Sequence, residues 1–207
     1  MTYMLFDKKD IRFEISFKTY DELHRLLSFF QEYNISKINI PCKGNLKKEF
    51  LLNSIKMSRI QFPNIDIIPH FSILHEFRRN SFNTQRYFIE FLNTVKYFGC
   101  SEVLLISGSQ KRSTLDTVKA LNALKDNSLF LTGDFSMGVA FNPYLSSFRF
   151  EEEINRLEKK IQSGLVTSIW IQFGTDIALF ESRIKILKEL ISSSLGSNPN
   201  QLDIRFL

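Results

Sequence analysis

The sequence predicts an α/β protein built on a parallel sheet, and three observations carry that expectation. Residues 136–141 are a short apolar run, residues 150–163 an amphipathic helix, and residues 167–173 a second apolar run. Within that helix Phe150, Ile154, Leu157 and Ile161 recur at the three-to-four spacing of one helical face. Glu151, Glu152 and Glu153 open it, Lys159 and Lys160 sit in its last turns, and Gly164 stops it, so both ends complement the helix dipole. Strand, helix and strand of this length form a βαβ unit, which implies parallel strands joined by a right-handed crossover.

The same alternation runs along the chain. Residues 11–16 read as a strand, and residues 20–33 as a helix with Leu23, Leu26, Leu27 and Phe30 on one face and Thr19 or Asp21 as its cap. Residues 36–41 form the second strand; a glycine-bearing loop at Lys43, Gly44 and Asn45 leads to a helix near 47–59. Residues 64–69 are the third strand, followed at once by His70, and a longer helix covers about 82–98. The fourth strand spans 102–107, with a helix near 114–125 after it. Beyond the βαβ unit come a helix at 177–193, a turn at 196–200 and a last strand at 201–207. Seven strands with helices between them, and no GxGxxG or Walker loop, favour a TIM-type (β/α) barrel over a doubly wound open sheet. Such barrels usually need about 250 residues. The expectation is therefore a single domain over 1–207, incomplete at the C-terminus, with about seven strands.

Composition narrows the function classes. At 207 residues and 43% apolar content the chain can bury one sizeable core. Its 21 phenylalanines are scattered through periodic segments, which favours core packing over a stacking platform for bases. The net charge of +5 is spread without a basic block, so nucleic acid is not expected as a partner. Cys42 and Cys100 are isolated, with no metal-ligand spacing around them, which suits a reducing compartment and argues against a structural metal. No apolar run reaches the roughly 18 residues of a membrane span, and the N-terminus lacks the order of a signal peptide. A cytoplasmic protein is expected.

In a barrel, binding and catalytic groups sit at the C-terminal ends of the strands. Here those places hold Glu14 and Ser16, Asn39, His70 and Ser72, Ser107 and Ser109, Asn142, and Gln172. A polar residue at the same end of six strands predicts a ring around a common mouth. Each residue also has a plainer explanation. Glu14 fits an alternating strand with one wet face, His70 a bond to a loop carbonyl, and Lys160 a solvated helix end. Gln172 interrupts an apolar strand and so needs a partner, a side chain or a ligand.

These stretches together resemble the methylenetetrahydrofolate reductase family of flavin-dependent barrel enzymes. Phe13-Glu14-Ile15 resembles its first strand, Pro69-His70-Phe71-Ser72 its PHLT motif, and Val139-Ala140-Phe141-Asn142-Pro143 its A-x-Y-P segment. Residues 157–164 followed by Trp170-Ile171-Gln172-Phe173 are similar to its LkxKvdAGA…TQ pattern. The resemblance implies that Glu14 acts in proton transfer, that His70, Ser107, Ser109, Asn142, Glu153 and Lys160 line an FAD site, and that Gln172 touches nicotinamide or folate. It implies FAD as cofactor, NADH or NADPH as electron donor, a folate-type substrate, and assembly as a homo-oligomer or with a protein partner. Ser107 and Ser109 stand where the family has an arginine and an aspartate, the latter near the flavin. Asn142 replaces a tyrosine, Ser146 a histidine and Pro41 a threonine. Two functions follow as expectations: reduction of a methylene-folate to a methyl-folate, or a non-catalytic barrel that binds flavin, folate or a protein partner.

Overall fold

The computed structural model describes residues 11–42, 48–76, 80–107, 116–131, 133–195 and 202–206. Seven strands lie in one parallel sheet in sequence order: β1 (Phe13–Glu14), β2 (Lys37–Ile40), β3 (Asp66–Ser72), β4 (Glu102–Ile106), β5 (Ser136–Phe141), β6 (Val166–Ile171) and β7 (Asp203–Phe206). Between them run α1 (Tyr20–Glu32), α2 (Lys48–Gln61), α3 (Ser81–Tyr97), α4 (Thr117–Asn122), α5 (Ser147–Ile161) and α6 (Ile177–Leu195). The sheet curls into a half-barrel with its helices outside, the fold class the sequence predicts. Among the described residues β1 and β7 do not pair, so they are its two edges. No described helix is long and apolar enough to cross a membrane.

Alternation along the strands separates two cores. Ile38, Ile67, Phe71, Val103, Val139 and Ile169 point outward into the large core shared with the helices. The intervening positions Ile68, Leu104 and Trp170 form a small apolar cluster on the inner face. Both faces of the central strands are buried, which is why they read as nearly unbroken apolar runs. Cys42 and Cys100 are both buried, and the Cys42 thiol donates to Glu76.

Local signals explain the ends of the elements. Thr19 caps α1 by accepting the Glu22 amide N–H at 3.2 Å, and Asp116 caps α4 in the same way through Lys119. Gly164 takes φ +77° after α5, a left-handed backbone that suits glycine. Helix α5 begins at Ser147, earlier than the expected 150, so Glu151, Glu152 and Glu153 lie beyond its first turn and do not open it. Strand β3 runs on to Ser72, past the expected end at 69. Pro69, which lacks an N–H, is where pairing passes from β2 to β4: the β2 register ends at Ile40 with Pro69, and the β4 register starts at His70 with Leu104. His70 therefore lies within a strand and not in a loop.

Arginines secure both edges. Arg12, just before β1 on its inward side, reaches the Ile38 and Asp66 carbonyls and the Asp66 carboxylate. Arg205, inward on β7, donates to Glu102 Oε2 at 2.7 Å and to Asp203 at 2.9 Å. Inward-facing charge on an edge strand discourages further edge-to-edge pairing.

Candidate active site on the inner face

Register places three polar side chains together on β1, β2 and β3. Glu14 is opposite Asn39, Asn39 is opposite Ile68, and His70 follows two residues along the same inward face. The Glu14 carboxylate lies 4.0 Å from His70 Nδ1. His70 is 3% exposed, whereas the Glu14 side chain is 46% exposed. Burial lowers the His70 pKa to about 3, so the ring is neutral near pH 7 and its approach to Glu14 is not an ion pair. Asn39 Oδ1 and His70 Nε2 are both buried without a hydrogen-bond partner among the described residues. Leaving such atoms unpaired costs on the order of 1–3 kcal/mol each, which marks the place as one kept for something other than stability.

The buried imidazole sets a pH dependence. An unfolded histidine takes up its proton near 6.5, and this one only near 3. Between those values the unfolded chain binds more protons, so stability falls as pH drops through that window. The expected loss is of the order of 4 kcal/mol by pH 3. Urea titrations from pH 7 to pH 3.5 should show this slope in the wild type and a flatter one in His70→Leu. Equal slopes would contradict the assignment.

A second group gathers after β5 and β6. Asn142 Oδ1 accepts the Tyr144 amide N–H at 2.8 Å, a local turn that commits this side chain to its own loop. Gln172 lies just past the end of β6 and is exposed, so the expectation that burial forces a partner on it does not hold; its backbone N–H donates to the Phe141 carbonyl at 2.9 Å. Its side chain borders a cleft of about 180 Å³ lined by Tyr144, Phe173, Phe180 and Phe206. Gly174 makes room there, because a Cβ would fall 2.3 Å from the Tyr144 ring. Arg183 of α6 is buried, donates to the Pro143 and Leu145 carbonyls and lies 4.1 Å over the Phe150 ring, which fixes the Asn142 loop against α6.

The remaining expected site residues are distributed elsewhere. Ser107 is exposed just beyond β4, and Ser109 lies outside the described residues. Ser146 holds the N-cap position of α5, and its side chain makes no capping hydrogen bond to the helix. Glu153 and Lys160 face each other along α5 at 3.8 Å, in the helix layer and not in the ring of strand ends. Lys160 is 4% exposed, so it is not a solvated helix end; burial lowers its pKa, against the opposing pull of Glu153.

Sequence reasoning missed the network at the floor of the half-barrel. Ser168 Oγ and Trp170 Nε1 both donate to Glu102 Oε1, and Trp170 Nε1 also donates to Ser168 Oγ at 2.9 Å. The Arg205 guanidinium lies 5.2 Å from the centre of the Trp170 ring. The available signal was the parity of Glu102, Ser168 and Arg205 in otherwise apolar strands.

Comparison with known proteins bears on the fold. No family model matches the chain, and no curated protein matches it. Solved structures do. A dihydrodipicolinate synthase from Agrobacterium tumefaciens str. C58 superposes with TM-score 0.61 at 11% identity, covering 88% of this chain and 60% of that one. A 4-hydroxy-tetrahydrodipicolinate synthase from Methylacidiphilum fumariolicum SolV gives 0.56 at 14% identity, covering 93% and 60%. A 2,3-dimethylmalate lyase of the PEP mutase/isocitrate lyase superfamily gives 0.54 at 10% identity, covering 96% and 74%. The chain spans 60% of the length of the two synthases. At such identities the likeness defines the architecture alone: this is a TIM-type α/β half-barrel.

Proposed function

We propose that this chain carries a flavin-dependent reductase site of the methylenetetrahydrofolate reductase type. The observation that carries the reading is the Glu14–His70 juxtaposition: a carboxylate with no cation partner among the described residues, facing a neutral, buried imidazole at the mouth of the half-barrel. Four acids lie on the inner face of the described strands. Asp66 is tied to Arg12, and Glu102 and Asp203 to Arg205; among the described residues Glu14 has no such cation. It is the acid left for chemistry.

The residues fit a flavin ring. His70 Nε2 offers a buried nitrogen unpaired among the described residues, and Ile68, Leu104 and Trp170 supply an apolar floor. His70 would hold the ring, Gln172 would orient a folate-type substrate from the end of β6, and Glu14, having taken up a proton from solvent, would give it to the substrate nitrogen whose loss opens the methylene bridge. The flavin, when bound, supplies the hydride and draws its electrons from NADH or NADPH. Glu14, as a carboxylate again, then offsets the positive charge on the opened substrate.

Titrating the protein with FAD tests the cofactor assignment. Quenching of flavin fluorescence should give saturable binding, weakened about tenfold in His70→Leu, the worth of one hydrogen bond to a buried group. Absence of binding at high micromolar FAD would remove the flavin from the account.

A further inference from the structure

Asn39 has no part in the family resemblance, yet it is a buried polar residue paired directly with Glu14 across β1 and β2. It is 2% exposed, its Oδ1 has no partner among the described residues, and it stands between the strands that carry Glu14 and His70. A buried carboxamide offers one acceptor and one donor side by side, and its complement is a planar O=C–N–H edge. The surroundings favour a neutral ring over an anion. Asn39 and the neutral His70 carry no charge, the floor is apolar, and the charged group beside them is the Glu14 carboxylate, 4.0 Å from His70. The Glu14 side chain is held by no hydrogen bond among the described residues, so it can swing aside as a ligand enters.

We infer that Asn39 is a cofactor-binding residue that reads the imide edge of the flavin, pairing its carboxamide with the ring N3–H and an adjacent carbonyl. This rests on the flavin reading above and adds to it the orientation of the ring: pyrimidine end over β2, with His70 of β3 beside it. A residue kept for a ligand also differs from one kept for the fold. Replacing it by an apolar residue of similar size removes an unsatisfied group and does not remove a stabilising bond.

The test uses FAD and its N3-methyl analogue against the wild type and Asn39→Leu. Methylation removes the donor that Asn39 reads, so the wild type should bind the analogue at least tenfold more weakly than FAD. Asn39→Leu should bind both equally, near the weaker value, and should melt at or above the wild-type temperature. Equal affinity of the wild type for the two flavins would overturn the inference while leaving the flavin site standing. A lower melting temperature for Asn39→Leu would also overturn it, since the amide would then have a structural partner. Failure of the wild type to bind FAD at all would overturn both readings together.

Discussion

Replacing Gly138 with alanine is expected to lower the melting temperature by roughly 6–12 °C, the equivalent of about 3 kcal/mol for a domain of this size. The added Cβ would fall 2.6 Å from Trp170 Nε1, 2.7 Å from Ser168 Oγ and 2.9 Å from Trp170 Cδ1. None of these can yield cheaply. Trp170 is 1% exposed and Ser168 fully buried, and both are donors to Glu102, which reaches from β4 across β5 to meet them. Gly138 is the gap over which that carboxylate passes. Arg205 completes the arrangement from β7, so the clash would also loosen the edge strand. Thermal melts of Gly138→Ala against the wild type decide the matter, and a shift below about 2 °C, under one kcal/mol, would show that the network does not hold the floor.

The other large effect is on turnover. Glu14→Gln should slow oxidation of the reduced protein by methylenetetrahydrofolate between about 10²- and 10⁴-fold, the usual worth of a single general acid. The amide keeps the shape and loses both the proton and the negative charge that follows it. FAD affinity should stay within about twofold, because the carboxylate stands beside the ring site without being one of its hydrogen-bonding groups. The flavin should therefore still load and still accept electrons from NADH or NADPH. If Glu14→Gln turns over as fast as the wild type, the proton comes from another group.

Much of the architecture was legible because periodicity reports burial directly. The strands at 136–141 and 167–173 and the helix between them were placed within a few residues, since apolar spacing and Gly164 mark them chemically. The end of β3 was not. Proline usually ends a strand, and only the change of partner from β2 to β4 explains why this one continues. The strand-end rule found Glu14, Asn39 and His70, which do converge. It could not show that Asn142 spends its side chain on a turn, that Gln172 is exposed, or that Glu153 and Lys160 satisfy each other along α5. Those outcomes depend on side-chain reach between neighbours, which spacing does not encode. The Glu102 network escaped for the same reason: its members are far apart in sequence and meet only because Gly138 has no side chain.

The most direct test of the reductase reading follows the flavin itself. Protein loaded with FAD, reduced under anaerobic conditions and mixed with methylenetetrahydrofolate should regain the absorbance of oxidised flavin while methyltetrahydrofolate forms in equal amount. If the flavin binds and is reduced but stays bleached in the presence of the folate, yet recovers on admitting oxygen, the reductase claim is contradicted. The half-barrel would then be a flavin-binding domain without this chemistry.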